Sequence, residues 1–230
     1  MGLASAKDAH AIPVDLTVVD TGLTVGTDTR LYRADLSTIP GGGFVSALTL
    51  TDDGTTMTGA PGIFSGFDLD AVFLDVDGDP GTTSDQFLPT GFSYTAGSVR
   101  FSALAIQQPT ASHPGPLFGS LDASTVDEPT ATLDSFDAVS TADVTVADGF
   151  LTLGDDGILV VNFANVPIGD SLFLLLGEVG VIDQSDENIF ASAEVTPVPL
   201  PGAMWLFLTG LMALIGFSRR RRIATAPAPE

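Results

Sequence analysis

DVTVADGFLTLGDDGILVVNF, residues Asp143 to Phe163, is the stretch that decides the fold class. Val144 and Val146 run into Ala147-Asp148-Gly149, and Phe150 to Leu153 run into Gly154-Asp155-Asp156-Gly157. Ile158 to Phe163 then follow as a third apolar run. β-Branched and aromatic residues suit a pleated strand, and Asp-Gly pairs suit the tight turns between strands. The spacing predicts a three-stranded antiparallel meander, with Asp155 and Asp156 as turn residues.

The same phrasing extends in both directions. Val14 to Thr24 alternates in part before Gly26-Thr27-Asp28. Arg30 to Leu36 reads as a strand closed by Pro40-Gly41-Gly42-Gly43, and Val45 to Thr51 as another that turns at Asp52-Asp53-Gly54. Ser171 to Leu176 offers one more, after Pro167-Ile168-Gly169-Asp170. No segment before Val198 sustains an apolar period of 3.6, so helices are not expected there. Short strands at this spacing predict an all-β fold, an antiparallel β-sandwich of jelly-roll type over residues 12–196. Gln107 to Pro129 is the longest loop-like stretch within it.

Composition agrees. The chain has 230 residues, with 24 aspartates against 5 glutamates and a single lysine, Lys7. Charged helix formers are thus nearly missing, while turn formers abound. Ahead of Pro197 stand four basic residues against 28 acidic ones, a net of −24. A surface of that charge repels nucleic acid and anionic lipid and attracts divalent cations. With no cysteine there is no disulfide, thiol nucleophile or zinc-thiolate site.

The C-terminus breaks the pattern. Leu200 to Phe217 is an 18-residue run without charge, followed by Arg219, Arg220, Arg221 and Arg222. As a helix it would extend about 27 Å, close to the roughly 30 Å of a bilayer core. The expected layout is a Pro-rich segment at 197–202, a transmembrane helix at 203–218 and a basic tail at 219–230. The positive-inside rule puts the arginines in the cytoplasm and the body outside it. An exported body needs a leader. Ala4-Ser5-Ala6 and Ala9-His10-Ala11 have the small-x-small form of a cleavage site, so residues 1–11 read as the remnant of a signal peptide.

The order of Val198-Pro199-Leu200-Pro201, a single helix and an arginine cluster resembles the PEP-CTERM sorting signal, in its VPLPA-CTERM variant. The similarity covers about 25 residues, Val198 to Arg222. Leu200 stands where the namesake motif has Glu, and Gly202 where the variant commonly has Ala. The resemblance implies a substrate of an exosortase, a membrane enzyme that cuts near the motif. It implies export, anchoring at the inner membrane with the body outside, and then release to the cell surface or extracellular matrix. It also associates the protein with exopolysaccharide or biofilm. GFLTLGDDGILVVNF, and SGFDLDAVFLD from Ser65, look like the β-rich ectodomains that often precede such tails.

Within the body the densest acidic stretch is FDLDAVFLDVDGDPGTTSD, Phe67 to Asp85. Asp75, Asp77 and Asp79 fall two apart, and carboxylates so spaced in a loop can converge on calcium, which wants six to eight oxygens. Gly78 at the fourth place and Gln86 at the twelfth exclude an EF-hand. The expectation is an irregular calcium loop of Asp75, Asp77, Asp79 and Asp85, helped by the carbonyl near Gly81. The competing reading is a hairpin turn with solvated carboxylates. Asp68 and Asp70 alternate with Phe67 and Leu69, which predicts that both face solvent.

Catalytic patterns are few. His10 and His113 are the two histidines, and Gly62-Ile63-Phe64-Ser65-Gly66 has its serine one place late for a nucleophile elbow. No glycine-rich phosphate loop precedes a helix. The expected role is therefore non-catalytic: a structural or adhesive matrix protein. The alternatives are an anchored calcium-dependent carbohydrate-binding module and, behind it, a glycoside hydrolase using two of the many carboxylates.

Overall fold

A computed structural model describes residues 10–54, 62–99, 115–139, 149–180 and 189–197. The sorting motif Val198–Pro201, the expected helix at 203–218 and Arg219–Arg222 lie outside the described residues. So do residues 1–9 of the expected leader remnant. The chain divides into two units, 1–197 and 198–230, and all the described residues belong to the first. Among them no helix is long and apolar enough to cross a membrane.

The body is all-β, with two antiparallel sheets and almost no helix. Its strands are β1 (Ile12–Leu16), β2 (Val19–Val25), β3 (Thr29–Asp35), β4 (Gly43–Asp52), β5 (Asp68–Asp75) and β6 (Gln86–Phe87). β7 (Gly91–Thr95), β8 (Leu151–Thr152), β9 (Ile158–Ile168), β10 (Phe173–Val179) and β11 (Ile189–Thr196) follow. The first sheet has the order β1-β11-β4-β9-β7; the second has β2-β3-β10-β5-β6, with β8 also on β5. One hydrophobic cluster draws on both, with Leu48, Leu50, Leu159 and Val161 from the first and Val72, Leu74, Leu174 and Leu176 from the second. These side chains are fully buried.

The strands at β3, β4, β9 and β10 stand where the sequence pattern puts them. The meander does not form. β8 pairs with β5 in the second sheet, whereas β9 pairs with β4 and β7 in the first. The Gly154-Asp155-Asp156-Gly157 turn therefore carries the chain between sheets instead of closing a hairpin. Phe150, Leu151 and Leu153 are all buried, so this segment is covered on both sides and has no solvent face to alternate with. Gly154 has φ +78°, and a Cβ there would come within 2.9 Å of the Gly97 carbonyl carbon. Val144 and Val146, the first strand of that expectation, lie outside the described residues. Asp156 does occupy a turn, with φ +64°. The described part of the long loop, residues 115–129, forms turns and a bridge between Ser120 and Val126 and runs into one helical turn at Glu128–Ala131.

The second sheet decides where the acidic residues go. β5 and β10 are buried along nearly their whole length, so both faces of their sheet are covered. That matches their continuous apolar runs. One face packs on the first sheet. The other carries a separate apolar cluster of Leu31, Ala71, Phe73 and Leu175, with Val25, Phe136 and Phe173 against it. Phe136, from the loop after the helical turn, lies on this outer face edge-to-face with Phe73, ring centroids 5.2 Å apart. Gly177 makes room for it, since a Cβ there would fall 2.7 Å from the Phe136 ring.

Between β5 and β10 the pairing steps from Leu176↔Val72 to Glu178↔Leu69, so two residues of β5, Asp70 and Ala71, oppose Gly177. This β-bulge breaks the alternation after Asp70, which lies on the covered outer face. Asp70 is fully buried, contrary to the expectation that it faces solvent. Its carboxylate accepts from the Thr29 hydroxyl and from the amides of Ala138 (3.1 Å) and Asp137 (3.3 Å). Asp68 is half-buried and accepts from the Thr152 hydroxyl.

Burial pushes the Asp70 carboxyl up to about 6, against the Thr29 and Ala138 hydrogen bonds that hold it down. The folded chain thus holds this proton more tightly than an ordinary Asp of pKa 3.8. The stability so gained is present in full below about pH 4 and is lost as pH rises to about 6. A two-unit shift corresponds to about 3 kcal/mol. Denaturant melts of Asp70→Asn should therefore gain on the parent by about that amount between pH 4 and pH 7. A constant difference across that range would contradict the assignment.

Candidate metal centre

The β5–β6 hairpin has the register Leu74↔Phe87 and Asp75↔Gln86. A ten-residue loop, 76–85, therefore returns Asp85 to within one ladder step of Asp75. The two strands, and not the loop sequence, make these carboxylates neighbours. Asp75, Asp77 and Asp85 each place a carboxylate oxygen within 4.8 Å of the others. Asp75 is fully buried, Asp85 half-buried and Asp77 exposed, so the group opens outward from a closed floor.

The loop is shaped by its own aspartates. One oxygen of Asp75, Oδ1, accepts from the amides of Asp77 and Gly78. Asp77 Oδ1 accepts from the Asp79 amide at 2.8 Å, and Asp79 Oδ1 from the Gly81 amide at 2.9 Å. Such side-chain-to-backbone bonds two residues on let Asp substitute for a backbone turn. Asp79 is spent in this way. It caps its own turn, where the Thr82 amide donates to the Asp79 carbonyl, and it does not join the other three. Of the four residues expected from sequence, the structure brings together Asp75, Asp77 and Asp85.

Gly78 sits at φ +72°, which favours glycine. A Cβ on it would also lie 3.0 Å from the Phe173 ring and 3.3 Å from Arg33 Nη1. The loop is seated there on the Arg33 guanidinium, itself stacked 5.0 Å from the Phe173 ring centroid. Ser171 adds a hydrogen bond from its hydroxyl to the Val76 carbonyl. The acidic loop is thereby anchored on its β5 side.

Two atoms are left over. Asp75 Oδ2 and Asp85 Oδ1 are buried oxygens with no hydrogen-bond partner. A buried carboxylate oxygen without a donor carries the full desolvation cost of the group, and native structures seldom leave one so. Burial pushes the Asp75 carboxyl up to about 6, the Gly78 amide opposes this, and the neighbouring Asp77 and Asp85 carboxyls raise it further. Three acids crowded in this way repel one another unless a cation lies between them. Their oxygens are hard donors, suited to calcium or magnesium and unsuited to soft metals. Three carboxylates can give three to six oxygens, and backbone carbonyls or water would complete a calcium sphere.

Among the described residues no comparable cluster of metal-ligating side chains occurs elsewhere. Ser65, in the displaced elbow pattern, is buried and gives its hydroxyl to the Gly62 carbonyl at 2.7 Å. His10 is exposed, and His113 lies outside the described residues. Asp52, read from sequence as a turn residue, is buried and accepts from the amides of Phe67 (2.9 Å) and Asp156 (3.2 Å), tying the segment before β5 and the β8–β9 turn to the end of β4. No family model matches the chain, and neither does any curated protein or solved structure, so the chemistry rests on the geometry of the site.

A cation that binds the folded state alone stabilises it by about 2.7 kcal/mol at a hundredfold excess over Kd. For a body of this size that is about 5–10 °C in melting temperature. Calcium should raise the melting temperature of the chelator-treated parent by that amount and leave Asp75→Asn unmoved. Without calcium at pH 7, Asp75→Asn should melt higher than the parent, because it removes one of three crowded charges. A parent whose melting temperature ignores millimolar calcium would rule the site out.

Proposed function

We propose that this chain is an exported, non-catalytic surface or matrix protein whose body is a jelly-roll-like β-sandwich stapled by calcium at the β5–β6 hairpin. The observation that carries the calcium reading is the pair of buried, partnerless oxygens on Asp75 and Asp85. A hairpin needs neither of them. A calcium ion would give both a ligand and turn mutual repulsion into attraction.

The destination is read from the C-terminal sequence. Val198-Pro199-Leu200-Pro201 is a stiff segment poor in backbone donors, suited to the grip of a protease-like enzyme. The apolar run would hold it at the membrane, and Arg219 to Arg222 would fix the orientation. An exosortase is the proposed processing partner and the helix the proposed contact with the membrane. The body then reaches the cell surface or extracellular matrix. The net charge of −24 on the residues ahead of Pro197 argues against nucleic acid as a partner and suits a calcium-containing, exopolysaccharide-bearing exterior.

Intact-mass analysis of the protein recovered outside producing cells tests this directly. The expected species lacks the apolar run and the four arginines, and the uncut chain accumulates when the exosortase is inactivated. Extracellular protein that keeps Arg219 to Arg222 would leave a plain permanent anchor.

A further inference from the structure

The acidic loop has a second side. Its Pro80-Gly81 turn, Thr83 and Gln86 form one wall of a cavity of about 370 Å³. Asp134, Ser135, Phe136 and Phe73 complete its lining, with the fully buried Phe73 packed against Phe136. Phe136 is half-buried, and its ring is held edge-to-face on Phe73 and fitted over Gly177. The aromatic part of the lining is therefore rigid. Asp134 is exposed, and among the described residues none donates to its carboxylate, so both oxygens are available. Small-molecule sites are concave, apolar at the base and edged by a few convergent polar groups, with volumes from about 300 Å³ upward. This cavity meets each of those terms.

We propose that this cavity binds one neutral sugar ring, and that calcium at Asp75, Asp77 and Asp85 orders the wall that closes it. A pyranose offers an apolar C–H face to an aromatic ring and hydroxyls at its edge. Phe136 would take the face. Asp134 accepts from ring hydroxyls, while the Gln86 amide and the Thr83 hydroxyl can both donate and accept. The Asp134 charge and the acidic body select against uronates and sulfated sugars. Asp85 directly precedes Gln86, whose side-chain amide donates to the Pro80 carbonyl of the same loop at 3.4 Å. Thr83 and Asp85 share a single helical turn. Ligation of Asp85 would thus steady the loop that carries Thr83 and the carbonyl that holds Gln86. The coupling rests on the calcium reading above; the cavity itself does not.

The test is titration of the full chain with methyl α- and β-pyranosides of glucose, galactose and mannose, with calcium and with chelator. Binding is read by saturation-transfer NMR, and melting temperature is recorded in the same samples. At least one pyranoside should saturate with a millimolar Kd in calcium and bind about tenfold more weakly in chelator. Asp134→Ala, an exposed change that leaves the fold intact, should weaken it by at least about tenfold. Phe136→Leu should weaken it several-fold. If calcium raises the melting temperature and no pyranoside saturates, the sugar site is overturned and the metal centre stands. Equal binding in chelator overturns the coupling. Binding of choline in place of every pyranoside overturns the ligand class.

Discussion

The outer face of the second sheet has to be covered, and most of the body follows from that. β5 and β10 are apolar on both sides, with Phe73 and Leu175 turned away from the inter-sheet core yet almost fully buried. Fully burying such side chains contributes about 1.5–3 kcal/mol each. Loops supply the cover. Residues 132–139 lay Phe136 across Phe73, and the 76–85 loop closes the end where β5 stops. The bulge at Asp70 and Ala71, the glycine at 177 and the anchoring of Gly78 on Phe173 all serve this cover.

Covering a sheet with acidic loops creates an electrostatic problem. Asp70 and Asp75 are both fully buried, and among the described residues no arginine or lysine pairs with either. Among the described residues the one ion pair is Arg30 with Asp20, at the sheet edge. Asp70 is held by a hydroxyl and two amides, which satisfy a lone carboxylate. Asp75 cannot be treated in the same way, because Asp77 and Asp85 crowd it and its second oxygen has no donor. A chain so poor in basic residues has one economical remedy, which is a cation taken from solution. The calcium proposal and the acidic composition are then parts of one design.

Strand existence was legible wherever an apolar run met a Gly- or Asp-rich break, as at Arg30–Leu36, Val45–Thr51 and Ile158–Phe163. Sheet membership was not. The Gly154–Gly157 stretch has the composition of a hairpin turn, but Phe150, Leu151 and Leu153 are buried on successive positions, and that favours a crossover. Asp70 does lie on the face opposite Leu69, as alternation predicts, but residues 132–139 cover that face, and such a cover leaves no mark in the local pattern. Of the four candidate ligands named from sequence, Asp75, Asp77 and Asp85 converge and Asp79 does not. Spacing favoured Asp75, Asp77 and Asp79 together, but hydrogen bonding claims Asp79 for its own turn while strand register delivers Asp85. Register across a ten-residue loop is a tertiary fact. Phe136 and Asp134 carry no motif at all; their proximity to Gln86 exists only in the folded chain.

A crystal of the full chain grown with calcium, with anomalous data collected, gives the most direct measurement. A single peak should lie between Asp75, Asp77 and Asp85, bound by Asp75 Oδ2 and Asp85 Oδ1, with Asp79 capping its turn outside the coordination sphere. A peak ligated by Asp79 and not Asp85, or no peak there at saturating calcium, would contradict the account.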